Sequence, residues 1–210
     1  MKKYLLILTT IACVCVLFVS CEKSENAKKE LISFHKNGNE YIFKIKKHGK
    51  MNETTVKLTS DKTDLRNLGI KEMLILDSAG KTRQSIDISD TKPVSSVGKS
   101  RYAKEGVAWD IPLMFEDYNF DGNIDLGFME SMGASVDSDK FWLYEPATGK
   151  FENSKELSEN INSEAIFNYD KKIIKQLRRE GGNTWSVTNF TWEKGKLKIL
   201  ESFISTPSKR

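Results

Sequence analysis

Ile111-Pro112-Leu113-Met114-Phe115-Glu116-Asp117-Tyr118-Asn119-Phe120-Asp121-Gly122-Asn123-Ile124-Asp125-Leu126-Gly127-Phe128 reads as a calcium loop held between two strands. Counting from Asp117, oxygen-bearing side chains fall at positions 1, 3, 5 and 9, and Gly122 stands at position 6, where the chain must turn sharply. Calcium takes six to eight oxygens at about 2.3–2.6 Å, and this spacing wraps them around one ion. Asp117, Asn119, Asp121 and Asp125 offer side-chain oxygens, and Asn123 offers its backbone carbonyl. Position 12 is Phe128 rather than the bidentate Glu of an EF-hand. The flanks are not helical either. Pro112 opens the first, and Leu113/Phe115 and Ile124/Leu126/Phe128 alternate with period two, as half-buried strands do. Without the twelfth-position Glu, affinity should be that of extracellular modules, roughly 10⁻⁴–10⁻³ M. Such an ion is expected to be structural. It would neutralise three clustered Asp charges and act as a staple.

Outward from the loop, strand signals dominate. Tyr41–Lys46, Thr54–Thr59, Glu72–Asp77 and Arg83–Ile88 precede it. Lys140–Tyr144, Lys150–Glu152, Ile173–Arg178, Trp185–Glu193 and Lys196–Phe203 follow. Turn chemistry separates them: His48-Gly49-Lys50, Ser78-Ala79-Gly80-Lys81, Glu145-Pro146-Ala147-Thr148-Gly149, Gly181-Gly182-Asn183 and Lys194-Gly195. Ser154–Ile161 fits one short helix. Residues 89–107 lose periodicity and form the longest irregular segment. The expectation is an all-β, hairpin-built domain over 31–210, sandwich or propeller-like, without a repeat of fixed period.

The N-terminus reads as an export signal. Lys2 and Lys3 precede the uncharged apolar run Tyr4–Val19. Leu17-Phe18-Val19-Ser20-Cys21 has the form of a lipobox, with Phe18 where Leu is commoner. Residues 1–20 are therefore expected to be removed and Cys21 to carry lipid. Polar residues 21–30 would tether the domain to a bacterial envelope membrane, with Glu22 compatible with the outer one. The remaining cysteines, Cys13 and Cys15, lie inside the signal. That leaves no thiol for a disulfide, a nucleophile or a Cys-ligated zinc site. Without Lys2 and Lys3 the chain has 31 basic and 29 acidic residues, a formal +2, which does not indicate a nucleic-acid partner.

Little points to catalysis. The two histidines are His35, near the tether, and His48, in a Gly turn. No Gly-x-Ser-x-Gly, HExxH or phosphate-binding Gly loop occurs. An acidic pair for glycoside hydrolysis stays open in a chain so rich in carboxylates, although the densest cluster is the calcium loop. Lys171–Arg179 is basic and reads first as a solvated strand face. Trp109, Trp142, Trp185 and Trp192 read first as core, with a sugar platform as the other possibility.

The loop also resembles those of integrin-type propeller repeats. Together with Phe141-Trp142-Leu143-Tyr144-Glu145-Pro146-Ala147-Thr148-Gly149-Lys150-Phe151, Gly181-Gly182 and the Trp-rich Trp185–Leu200 hairpin, it is similar to a family of periplasmic and lipoprotein β-propeller-like proteins. That family is related to lysozyme inhibitors, and members serve as immunity proteins against peptidoglycan-degrading effectors. The resemblance covers the C-terminal half. It implies an all-β fold, calcium, and inhibition of a peptidoglycan hydrolase by protein–protein contact. Arg101 and Tyr102, near the end of the irregular segment, are the candidate contact residues. The competing reading is a non-catalytic glycan- or protein-binding envelope module, which a row of exposed Trp residues would favour.

Overall fold

The computed structural model describes residues 30–61, 69–91, 100–104, 109–130, 139–162, 164–182 and 184–205. The signal segment, Cys21 and most of the tether lie outside the described residues, as does much of 89–107. Residues from Leu31 onward form one unit.

The unit is almost all β, built as three antiparallel sheets whose strands follow one another in chain order. The first holds β1 (Ile32–Asn37), β2 (Glu40–Ile45), β3 (Thr54–Thr59), β4 (Glu72–Asp77) and β5 (Thr82–Asp87). The second holds β6 (Leu113–Glu116), β7 (Asp125–Phe128), β8 (Lys140–Glu145) and β9 (Lys150–Asn153). One helix, α1 (Lys155–Asn160), follows. Ser154 caps it by accepting the Leu157 N–H at 3.3 Å, which satisfies one of the unpaired donors of the first turn. The third sheet holds β10 (Ile166–Asn168), β11 (Ile173–Gly181), β12 (Thr184–Glu193) and β13 (Lys196–Ser205).

The second sheet is the central layer because both of its faces are covered. Leu113, Phe115, Leu126, Phe128, Trp142, Tyr144 and Phe151 join Phe43, Val56, Leu58 and Met73 of the first sheet in one core. The alternate residues Met114, Phe141 and Leu143 join Leu157, Ile174 and Phe190 in a second. Every residue of β7 is buried. Gly127 sits there because the Tyr118 ring crosses it. A β-carbon at 127 would lie 2.5 Å from Tyr118 Oη and 3.1 Å from Met114 Cε. Gly127 pairs with Met114 and Phe141, so it leaves a slot between two large neighbours for the ring.

Two of the four tryptophans follow the core reading, and Trp192 packs at the edge of the second core. Trp109 and Trp142 are buried, and Trp185 and Trp192 are half-buried. The Trp109 indole N–H donates to the Leu113 carbonyl at 2.6 Å, which satisfies its polar atom inside the core.

Polar seams join the layers. Gln84 of β5 donates to the Phe151 carbonyl at 2.7 Å and accepts the Phe151 N–H at 2.9 Å, so a side chain imitates a strand pairing between two sheet edges. Residues 100–103 form another seam, with isolated parallel bridges Ile32 to Ala103 and Ser100 to Phe115.

Two strands were not legible beforehand. β1 is followed by Gly38-Asn39, a hairpin signal with Gly38 at φ +57°, but its polar composition hid the strand. β10 has only three residues and no turn signature.

Candidate metal centre

The loop joins the end of β6 to the start of β7, as its flanks predict. Its turn needs left-handed backbone at two positions, Phe120 at φ +59° and Gly122 at φ +85°. Glycine adopts that conformation at no steric cost, whereas Phe120 does so against its β-carbon.

Three of the expected ligands come together. Asp117 Oδ1 and Asn119 Oδ1 both accept the Asp121 N–H, at 3.0 and 3.1 Å, and Asp117 Oδ2 accepts the Gly122 N–H at 3.0 Å. Asn119 Nδ2 donates to Asp121 Oδ2 at 3.2 Å. Asp121 Oδ1 accepts both N–H groups of Asn123, backbone at 2.8 Å and side chain at 2.9 Å. Positions 1, 3 and 5 are thus drawn to the inside of one turn.

The side chains of the other two residues have partners outside that turn. Asn123 Oδ1 accepts the Lys50 N–H at 2.8 Å, tying the loop to the β2–β3 turn. Gly49 of that turn has no room for a β-carbon, which would collide with the Gly122 carbonyl. Asp125 is fully buried. Its Oδ2 accepts the Tyr118 N–H at 2.9 Å and its Oδ1 the Tyr144 N–H at 2.8 Å. Asp125 therefore ties the loop's own start to β8 of the central sheet. Consistent with that dispersal, among the described residues no three His, Cys, Asp or Glu side chains gather around one point. A calcium ion here would be held by Asp117, Asn119 and Asp121, completed by main-chain carbonyls and water. It would draw on Asp125 only through the remaining lone pairs of its carboxylate.

Burial weighs against ionised carboxylates around the loop. Burial pushes the carboxyls of Asp117 and Glu116 above the usual carboxylate range, and that of Asp125 well above it. Backbone N–H donors only partly offset the desolvation.

The third sheet also reaches the loop. Phe120 packs edge-on against Tyr169 at 5.7 Å, and Tyr118 against Phe167 at 5.4 Å. The Tyr169 hydroxyl donates to Glu116 Oε2 at 2.6 Å. Arg101 lies here. Its N–H donates to Glu116 Oε1 at 3.1 Å and its guanidinium stands 3.5 Å over the Tyr169 ring. The half-buried Tyr102 packs on the first core, and its carbonyl accepts the Leu31 and Ile32 N–H groups at 2.8 and 3.1 Å. Both candidate contact residues therefore have structural tasks at the junction of three sheets. Only the irregular segment around them marked them beforehand. Glu116, Tyr169 and Gln84 gave no sequence signal, because each acts through a neighbour far along the chain.

Two open clefts flank the β8–β9 turn. One, of about 440 Å³, is lined by Asn119, Asp121, Glu145, Glu152, Glu156 and Trp192. The other, of about 490 Å³, is lined by Lys50, Lys81, Arg83 and Lys150 with Asp77. The histidines are dispersed. His35 is exposed on β1, and His48 lies 5.4 Å from the Tyr102 ring.

No protein-family model matches the chain, and no curated protein matches it. Among solved structures, the fold is similar to one described as a Xanthomonas type IV secretion system related protein. The TM-score is 0.51 at 9% identity, covering 88% of this chain and 86% of that one.

Proposed function

We propose that this protein is a lipid-anchored, calcium-stabilised envelope protein that binds a peptidoglycan hydrolase and blocks its cleft without catalysing a reaction of its own. The observation that carries the reading is the loop at Asp117–Asp125. Burial holds the carboxyls of Asp117 and Asp125 above their ordinary range, and the loop is gripped by all three sheets. An ion there would set the relative placement of the layers and hence of any surface they share. The similarity in fold to a protein related to type IV secretion supports an envelope setting. Cys21 would supply the anchor, and Arg101, exposed at the three-sheet junction, would be a contact residue.

The test is inhibition of a panel of lysozyme-type and other peptidoglycan hydrolases by soluble residues 22–210, with calcium and with chelator. The buried core begins at Leu31, so this piece retains it. Stoichiometric inhibition that weakens on chelation is the expected result. A folded, calcium-binding protein that inhibits none of the panel would transfer the reading to a glycan-binding module. The cleft carrying Trp192, Asn119 and Asp121 would then be its first candidate surface.

A further inference from the structure

Among the described residues five large apolar side chains are conspicuously exposed, and four of them belong to one strand. Ile199, Leu200, Phe203 and Ile204 of β13 are 48–62% exposed, and the fifth is Ile166 of β10. β13 is ten residues long and lies at the edge of the third sheet, where β12 is its one paired strand among the described residues. Its outer edge meets α1 near its start, where the Leu197 N–H donates to Glu156 Oε1 at 3.1 Å. Beyond that point alternate N–H and C=O groups face outward. A long apolar strand with an open edge is a template for another strand, and soluble proteins ordinarily blunt such edges with charge or proline. From Ile199 to Ser205 the one charge is Glu201, whose carboxylate accepts from Asn189 Nδ2 at 2.5 Å.

We infer that β13 is a pairing edge, and that its occupant is the β13 strand of a second copy of this chain, added antiparallel across a two-fold axis. A lipid surface fits less well, because it would cover the apolar side chains and leave the outward backbone groups without partners. A strand satisfies both. The register with β12 shifts between Asn189 and Phe190, which leaves Leu200 unpaired, and then runs unbroken from Glu201 to Ser205. That regular stretch is the segment that pairs. Centred on Phe203, antiparallel self-pairing sets Phe203 against its own copy, Ile204 against Ser202, and Glu201 against Ser205. No like charges meet. Lys196 and Lys198 fall at opposite ends of the two strands, and Lys198 is already paired with Glu193 at 3.1 Å. The contact is small by the standard of stable interfaces, so association should be weak, with a dissociation constant roughly in the micromolar-to-millimolar range.

Sedimentation equilibrium of residues 22–210 from about 1 µM to about 1 mM, the span of that range, tests it. The weight-average mass should climb toward twice the monomer's. Phe203→Lys should hold it at the monomer value throughout while leaving the thermal transition in place. Ile166→Lys, at the opposite edge of the same sheet, should dimerise like the parent. A parent that stays monomeric at the highest concentration overturns the inference. So does a Phe203→Lys protein that keeps its fold and dimerises as before, or an Ile166→Lys protein that does not dimerise.

Discussion

The central sheet and the third sheet are each four-stranded antiparallel meanders, yet they handle their residues in opposite ways. The central sheet has short strands, both faces buried, and acids drawn inward at its first turn. The third has strands of nine and ten residues that run on into exposure. Charge follows the same division. Residues 111–165 carry twelve acidic against three basic residues, and residues 166–205 carry eight basic against four acidic. Residues 31–110 are basic as well, fifteen against ten. The acidic segment that supplies the central sheet thus lies, along the chain, between two basic ones. The central layer is the part that places charge where water cannot solvate it, and backbone donors offset part of that cost.

If that contrast is right, the largest effect comes from removing Asp125. Asp125→Ala would leave the buried N–H groups of Tyr118 and Tyr144 without acceptors. At about 1–3 kcal/mol for each unsatisfied donor, a loss of about 3 kcal/mol or more is expected in denaturant unfolding. A loss below about 1 kcal/mol, within the worth of one ordinary hydrogen bond, would show that water reaches these groups and that the central layer is not dry.

Gly127→Ala comes next. Its methyl would meet Tyr118 Oη at 2.5 Å, and neither the ring nor β8 can retreat without disturbing the second core. Overpacking of this kind costs about 1–3 kcal/mol. Gly195→Ala in the third sheet's last turn meets no atom, although its φ of +78° disfavours any side chain. Comparing the two unfolding curves separates steric cost at the core from backbone cost at the rim.

Calcium should raise stability by a comparable or smaller amount. With a dissociation constant of roughly 10⁻⁴–10⁻³ M, about 10 mM calcium contributes about 1.4–2.7 kcal/mol. Differential scanning calorimetry with and without chelator reads it. Asp121→Ala should abolish the calcium-dependent part. If it does not, the ion binds elsewhere and the loop is an Asx-rich turn.

What was legible beforehand follows from the kind of information each feature uses. Thr54–Thr59 and Glu72–Asp77 were readable to the residue because alternation or an apolar run ends at a strong turn signal. The loop was readable because its spacing is local. The roles of Asp125 and Asn123 were not, because sequence spacing assigns an oxygen to a position and cannot say which N–H will claim it. Tyr144 lies nineteen residues from Asp125, and Lys50 lies seventy-three from Asn123. β13 was expected to end at Phe203, where the apolar pattern weakens, and it continues to Ser205 through pairing with β12. Periodicity reports burial, and a strand exposed along most of its length gives it little to report.

The smallest effect is expected where the third sheet is most exposed. Leu200→Ser removes a side chain that is half exposed and unpaired in the register with β12. With little apolar surface to lose and no partner left unsatisfied, its cost should lie within about 0.5 kcal/mol of zero, as for surface changes generally. Leu126→Ser, the corresponding change in the fully buried β7, would lose its transfer energy, open a cavity and bury a hydroxyl. Measured by the same denaturant titration, the pair isolates burial from residue type. Equal losses at the two sites would mean that β13 is covered in solution. At concentrations where the chain is monomeric, that cover could not come from a second copy.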